Sequence, residues 1–321
     1  MAYHASDARA ALARQATPRP PSSRPTAPAG QAAPADHLLF HELPPHAVHE
    51  RGRTWYARGQ NLVVGYTEVA GEAHLELPAG PDEHGLLLPD PRVSAVVHTG
   101  GGTAEVDGYS LTFLPPGAAG ITLRGEGTAV TLTTTRCAES AASAHNADSY
   151  REPHPRVAPL VPWPEPAGGY RVRTYTLDVP GLSNPPFRVF RCSSFMVNVP
   201  HPRTGPRDTA RLSPHTHDDF EQLSLIVEGS YTHHLRWPWT TDLDEWRADE
   251  HLASDAPSLT VIPPTVVHTS QAVGEGTNHL IDLFAPPRAD FSRMPGWVLN
   301  ARDYPTPADL LPAEAPERER P

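Results

Sequence analysis

The chain has 321 residues, enough for about two domains and at least one sizeable core. Its 39 prolines and 23 glycines disfavour a helical bundle, because proline lacks the amide hydrogen and clashes with the preceding turn. All 26 basic residues are arginine, which excludes Schiff-base enzymes and Walker-type NTPases, since both need a lysine amine. The formal net charge of −11 and the lack of an arginine-rich stripe predict no nucleic-acid partner.

The cysteines and the apolar pattern predict the compartment. Cys137 and Cys192 fit reduced thiols better than a disulfide framework. No apolar run reaches the roughly 18 residues of a membrane span. Arg9, Arg14 and Gln15 interrupt the alanines near the N-terminus, so we find no secretion signal there. We expect a cytoplasmic protein without membrane contact.

Composition shifts divide the chain into five parts. Three stretches rich in proline, alanine or charge cannot bury enough apolar area to offset the entropy of ordering them, so we expect two disordered ends and one linker. The two regions between them are rich in Val, Leu, Thr and aromatic residues. The predicted parts are an arm at 1–37, a first domain at 38–136, a linker at 137–166, a second domain at 167–304 and a tail at 305–321.

Both domains read as series of short strands in chain order. The runs are β-branched, partly alternating and ended by Gly, Pro or Asp, which is typical of strands in a sandwich or barrel. The predicted strands are 61–69, 93–99, 103–113 and 129–135 in the first domain, and 170–177, 187–199, 222–227, 231–237, 258–262, 268–272 and 278–284 in the second.

One helix is predicted, in the insertion after Trp239. Thr241 or Asp242 could cap a helix over 243–251. Such a helix would be either a lid or a surface excursion.

The segment most informative about chemistry lies in the second domain. Successive side chains of an extended backbone point to opposite faces, so His215 and His217, which are two residues apart, point the same way. They can therefore present two imidazoles to one metal ion. Further ligands must come from neighbouring strands. An oxygen atom is available at Gln222 or Glu221, and a third imidazole at His268.

The motif pair around these residues resembles the cupin superfamily over about 170–304. The first motif of that family places an oxygen ligand seven residues before a closing glycine, and counting back from Gly229 reaches Gln222. The second motif keeps Pro263 and His268 at the family spacing. The resemblance implies an antiparallel barrel that holds one metal ion through His215, His217, Gln222 and His268, with Glu221 as the alternative oxygen ligand.

The same resemblance implies which side chains border the site. Tyr231, Arg191 and His233 lie on strands next to such a centre, and each is a candidate for orienting substrate or moving a proton; Glu221 joins them if it is not a ligand. For His233 a purely structural role is the competing interpretation.

The first domain carries a weaker version of the second motif. Residues 107–120 match it, but Gly120 stands where the metal-binding histidine would be. We therefore predict an all-β bicupin: two tandem antiparallel jelly-roll barrels, of which only the C-terminal one binds metal.

Three functions are compatible with this pattern. The leading one is a dioxygenase-type mononuclear metal enzyme on a small, anionic metabolite, with Fe(II) favoured over Mn, Co, Ni, Cu or Zn. The second is a Lewis-acid isomerase, lyase or decarboxylase. The third is a non-catalytic cupin that binds or senses a small molecule. A homodimer is possible, although two barrels in one chain could meet the same need internally.

Overall fold

The computed structural model describes residues 32–50, 52–179 and 187–310. Its secondary structure is almost entirely β, which confirms the predicted fold class. Among the described residues the α-helices are short: α1 (Ala138–Ser143) and α2 (Ala289–Ser292). Five 3-10 helices span Phe40–Glu42, Ala147–Tyr150, Thr209–Arg211, Leu243–Glu245 and Ala308–Leu310.

The strands keep the predicted order, but the predicted strands 103–113 and 187–199 are each divided into two, and the N-terminal part has nine strands rather than four. In the N-terminal part they are β1 (Asp36–Leu39), β2 (Ala47–His49), β3 (Gly52–Arg58), β4 (Leu62–Gly80), β5 (His84–Leu88), β6 (Val93–Thr99), β7 (Gly102–Val106), β8 (Ser110–Leu114) and β9 (Gly117–Thr134). In the C-terminal part they are β10 (Arg173–Thr176), β11 (Phe187–Arg191), β12 (Met196–Pro200), β13 (Arg203–Thr204), β14 (Gln222–Glu228), β15 (Ser230–Arg236), β16 (Glu250–Asp255), β17 (Ser258–Ile262), β18 (Val267–Ala272) and β19 (Thr277–Phe284).

The two barrels differ in how they close. The first is a nine-stranded sheet in which the long strands β4 and β9 pair antiparallel along most of their length. The second is built from a seven-stranded sheet, with the order β1-β17-β14-β19-β12-β11 and β13 beside β19, and a three-stranded sheet, β16-β15-β18. The candidate metal ligands all belong to the second barrel.

Each barrel receives a strand from beyond the predicted boundary of its own domain. Strand β1 pairs antiparallel with β17 of the second barrel, and β10 pairs with β8 of the first. The arm predicted at 1–37 therefore ends inside a strand of the second barrel, and residues 1–31 lie outside the described residues. The exchange joins the barrels through backbone hydrogen bonds as well as through side chains.

The largest core lies where the seven-stranded sheet and the nine-stranded sheet face each other. It combines Trp55, Leu62 and Leu132 of the first barrel with Phe190 and Leu225 of the second, all at most 2% exposed. A separate aliphatic core fills the first barrel, and smaller clusters close the second. The hydrophobic effect thus fixes the two barrels against each other.

The helix predicted over 243–251 is wrong. The structure has one 3-10 turn at Leu243–Glu245, where the Asp242 side chain accepts a hydrogen bond from the Asp244 amide at 3.0 Å, so the predicted cap exists. The chain then enters β16, because pairing with β15 satisfies its backbone groups along six residues. The Trp239 and Trp246 rings stack 4.2 Å apart on this insertion.

The predicted linker and tail carry more structure than composition suggests. Residues 137–166 include α1, and Asn146 donates a hydrogen bond of 2.6 Å to Asp36 of β1. In the tail, the Leu310 carbonyl accepts a hydrogen bond from Arg293, and residues 311–321 lie outside the described residues. No helix in the described part of the chain combines the length and the apolar character needed to cross a membrane.

Candidate metal centre

Three histidines converge inside the second barrel. His215 forms a two-way backbone bridge with His268, with N···O distances of 3.0 and 2.8 Å. The His217 carbonyl accepts a hydrogen bond of 2.7 Å from the Thr265 amide. These bonds hold the segment that precedes β14 against the segment that enters β18, so imidazoles far apart in sequence meet.

The three rings are close enough to share one ion. One nitrogen from each of His215, His217 and His268 lies within 4.8 Å of the other two. The ring centroids are 4.3 to 5.2 Å apart, and all three residues are at most 6% exposed. Within the described residues no other group of three or more His, Cys, Asp or Glu is so arranged.

Backbone carbonyls fix the tautomer of two of the rings. His215 Nδ1 lies 2.9 Å from the Ser213 carbonyl oxygen, and His268 Nδ1 lies 3.0 Å from that of Val266. A carbonyl only accepts hydrogen bonds, so each Nδ1 carries the proton and each Nε2 carries a lone pair in the neutral ring. This arrangement is typical of metal-ligating histidines, whose other nitrogen donates to a carbonyl or carboxylate.

Gln222 supplies an oxygen atom at the same point. Its Oε1 lies 3.0 Å from His217 Nε2 and 3.2 Å from His268 Nε2. Its Nε2 donates to Ser224 Oγ and to Asp282 Oδ1, each at 3.0 Å. Because the amide nitrogen is bound to a carboxylate, the amide oxygen must face the imidazoles.

Burial keeps His217 neutral. The pKa of His217 is far below its usual value, first because burial penalises the charged ring and then because Arg288, His215 and His268 repel it. A neutral imidazole is the form that binds a metal. Three imidazoles and a neutral amide oxygen fit a divalent transition metal such as Mn, Fe, Co, Ni, Cu or Zn.

A buried arginine lies near the centre. Arg288 is 3% exposed, and its guanidinium carbon lies 3.7 Å from the Phe291 ring centroid and 4.8 Å from that of Phe284. It donates to Asp290 at 2.6 Å, and its charge contributes to the lowered pKa of His217. The triad is therefore flanked by an Arg288–Asp290 ion pair and by aromatic rings.

Glu221 points away from the triad. Its carboxylate accepts a hydrogen bond of 2.6 Å from the Gln60 amide of the first barrel, and burial raises its pKa to about 7. Successive strand residues face opposite sides, so Gln222 and Glu221 cannot both face the triad. Of the two predicted oxygen ligands, the structure brings Gln222 to the histidines.

The other predicted catalytic residues separate into two groups. His233 and Tyr231 lie on β15, on the face that carries Leu235, which pairs with His268. Arg191 is held elsewhere: it donates to the Tyr304 carbonyl and to Thr306 Oγ1, and lies 4.7 Å from the Trp163 ring centroid. The structure therefore brings His233 and Tyr231 towards the barrel interior and leaves Arg191 out.

Sequence reasoning missed two residues of the site. Asp282 orients Gln222, and Arg288 places a charge near His217. Both residues follow Gln222 by 60 or more positions in the sequence. They come close to it only because β14 pairs with β19.

The first barrel has no comparable centre. Gly120, at the position of the missing histidine, lies beside the Glu76 carboxylate, and the nearby His84 Nε2 contacts the Gly117 carbonyl at 2.8 Å. The interior is filled by aliphatic side chains such as Leu75, Leu86 and Ile121. Among its described residues this barrel holds no metal-ligand cluster.

Comparison with known proteins identifies the fold. No protein-family model matches the sequence, and no curated protein matches it. Three solved structures of oxalate decarboxylases, which are bicupin-type proteins, align with it at a TM-score of 0.50. The Lactobacillus farciminis enzyme in its formate complex is 11% identical, and the alignment covers 78% of this chain and 86% of that one.

The second structure is that of Bacillus subtilis oxalate decarboxylase, described for its Mn(II) centres. It is 12% identical, with coverage of 83% of this chain and 82% of that one. The third, described for an element that modulates proton-coupled electron transfer, is 11% identical with coverage of 85% of each chain. At these identities the similarity shows the fold, which is a tandem pair of cupin barrels.

Proposed function

We propose that this chain is a mononuclear metal-dependent lyase or decarboxylase acting on a small carboxylate. The observation that carries the proposal is the contact between His268 Nε2 and Gln222 Oε1 at 3.2 Å. His268 Nδ1 donates to the Val266 carbonyl, and the Gln222 amide nitrogen donates to Asp282, so a nitrogen lone pair of His268 faces an oxygen lone pair of Gln222. A cation between them would convert that repulsion into coordination.

The chemistry follows from the ligand set. A divalent metal held by three imidazoles and one amide oxygen can keep a coordination position open and act as a Lewis acid on a carboxylate or carbonyl oxygen of the substrate. The neutral amide of Gln222 leaves the centre more positive than a carboxylate ligand would. Arg288 is paired with Asp290, so the positive charge that favours an anionic substrate is that of the metal itself.

The chain's own groups supply orientation and water exclusion. The Phe220 ring stacks on His217 with centroids 4.4 Å apart, and Phe284 lies at 6.0 Å. His233 is the candidate for proton transfer, because it faces the barrel interior, whereas Tyr231 packs in an apolar cluster with Ile226 and Leu280. We do not assign Arg191 or Glu221 such a role, since both bind groups outside this centre.

The oxalate decarboxylase structures support this function over the dioxygenase that the sequence favoured. They also support Mn(II) as the metal to test first, because one of them is described for its Mn(II) centres. Fe(II) has no such support. The ligand types fit both metals, so the two remain to be compared by experiment.

Turnover without oxygen tests the proposal. Protein reconstituted with Mn(II) or Fe(II) is incubated under argon with ¹³C-labelled small carboxylates, and loss of the carboxylate carbon is followed by NMR. We expect turnover under argon that is abolished in His217→Ala. Turnover only in air would contradict the lyase function in favour of a dioxygenase, and binding without turnover would favour a sensing cupin.

A further inference from the structure

The loop between β15 and β16 carries an exposed apolar surface. Trp239, Leu243 and Trp246 are 73%, 70% and 39% exposed, and they are three of the seven large apolar side chains that are exposed among the described residues. Contiguous exposed apolar side chains on a folded protein mark interaction surfaces. We call residues 237–249 the tryptophan loop.

The aromatic rings of the tryptophan loop have a fixed arrangement. Trp239 and Trp246 stack with ring centroids 4.2 Å apart and an angle of 5° between the ring planes. Trp246 Nε1 donates a hydrogen bond of 3.0 Å to the Thr240 carbonyl. Stacking covers one face of each ring, so Trp239, at 73% exposure, presents its other face to solvent. The loop therefore offers a flat aromatic platform.

The tryptophan loop is acidic. Residues 237–249 include four acidic side chains and one arginine, a net charge of −3. Asp249 pairs with Arg236 at 2.6 Å, and Asp242 and Asp244 are exposed. This charge would repel the same loop of a second copy, and it would also repel an anionic membrane. A cationic partner is favoured.

The first described residue of the chain lies near this loop. Ala32 is 3% exposed and belongs to the apolar cluster that contains Trp237. Trp239 follows Trp237 by two residues, which is at most about 7 Å along the backbone. Residues 1–31 therefore join the described structure close to the tryptophan loop.

The segment before Ala32 has a composition that fits this platform. Residues 18–28 contain five prolines, Arg19, Arg24 and no acidic residue. Proline-rich segments favour polyproline II, which docks in aromatic-lined grooves at a low cost in entropy. Arginine pairs with carboxylates and stacks on aromatic faces. The four residues from Pro28 to Ala32 can span about 12 Å, so the segment begins within reach of the loop.

We propose that residues 18–28 of this chain dock on the tryptophan loop, with proline rings on the exposed face of Trp239 and with Arg19 and Arg24 at the acidic side chains. The inference does not depend on the metal centre or on the proposed function. It assigns the exposed apolar surface an occupant within the same chain.

Quenching of a fluorophore by tryptophan tests this contact in the full chain. Bimane, whose emission is quenched by a neighbouring indole ring, is attached at Ser23→Cys. Cys137 and Cys192 are 4% and 0% exposed, so the introduced thiol is the accessible one, and wild-type protein treated in the same way gives the background.

Replacing the stacked rings should restore the emission. A tethered segment has an effective concentration of about 1 mM, so a contact with a dissociation constant of that size is half occupied. We therefore expect Trp239→Leu combined with Trp246→Leu to raise the emission about twofold. Trp163→Leu is the matched control, because Trp163 packs on Arg191 beside β11.

Variants of the segment itself locate the contact. Arg19→Gln with Arg24→Gln removes two charges within 18–28 and should also raise the emission. Arg9→Gln with Arg14→Gln removes the same charge outside it and should have no effect. Dilution of the protein should leave the emission per molecule unchanged, because the contact lies within one chain.

Three results would overturn the proposal. Equal emission with and without the two stacked tryptophans would show that the segment does not contact the loop, whose surface would then serve another protein. Equal effects of the two arginine pairs would show that 18–28 is not the docking segment. Quenching that increases with protein concentration would assign the contact to the arm of a second copy.

Discussion

At the scale of single residues, the orientation of Gln222 depends on a carboxylate outside the ligand set. Asp282 Oδ1 accepts from Gln222 Nε2 at 3.0 Å and from Ser224 Oγ at 2.8 Å. Asp282 thus acts on the centre only indirectly, through its hydrogen bond with the neutral amide of Gln222. Partners of this kind orient metal ligands and set their basicity.

A second buried histidine makes stability depend on pH. His279 on β19 is 4% exposed, and burial lowers its pKa to about 4. The unfolded chain binds a proton at about pH 6.5, so the folded state loses stability as the pH falls from 6.5 towards 4. From pH 7 to pH 5 this one group should remove about 1–2 kcal/mol of the free energy of unfolding.

Urea unfolding at pH 7 and pH 5 measures this effect. His279→Gln should show a smaller loss between the two pH values than the wild-type protein. His98→Gln is a matched control on an exposed position of β6. If His279→Gln and the wild type lost the same free energy, burial of a neutral ring at this position would be the wrong explanation.

The sequence predicts the candidate metal ligands but not the residues and the strand register that orient them. The spacing of His215, His217 and His268 together with the cupin resemblance predicts that the three imidazoles converge, and the structure brings them within 4.8 Å of one another. Gln222 and Glu221 stay open in sequence, since either could face inwards. The register of β14 decides, and register is a property of the assembled sheet.

At the scale of elements, β1 is the clearest exchange between the barrels. It pairs with β17 at four positions, and Leu38 enters the core between the sheets at 7% exposure. The sequence does not reveal this strand, because it follows a Pro/Ala-rich stretch and has only four residues. The same reasoning misjudged β16, where β-pairing with β15 overrides a weak helical pattern.

Truncation tests the contribution of β1. Removing residues 1–39 should lower the free energy of unfolding by about 2 kcal/mol or more relative to removing 1–31, because Leu38 is lost and the edge of β17 becomes unpaired. The comparison uses urea midpoints, with light scattering to detect edge-to-edge aggregation. Equal midpoints for the two truncated proteins would show that β1 does not stabilise the second barrel.

At the scale of the whole molecule, the two barrels share a fold and differ in their interiors. The interior of the first barrel is filled by aliphatic side chains, among them Leu75 and Ile121. Its Gln60 amide donates a hydrogen bond to Glu221 of the second barrel. The second keeps a polar interior around the histidines. The resemblance at 107–120 is sufficient to predict this asymmetry, because Gly120 cannot ligate a metal.

The two barrels contribute differently to stability and to the metal centre. The first barrel stabilises the second through the shared core and the exchanged strands, and it contributes no ligand to the centre. One ion per chain is therefore expected, rather than two. Among the described residues, the candidate metal ligands all lie in the second barrel.

Metal content measured by elemental analysis, on protein purified without chelators and then dialysed against Mn(II), tests the central claim. We predict about one ion per chain in the wild type. The ion should be lost in His217→Ala, bound more weakly in Gln222→Ala and retained in the neighbouring control Glu221→Gln. Full stoichiometry in His217→Ala, or loss in Glu221→Gln with retention in Gln222→Ala, would contradict the centre described above.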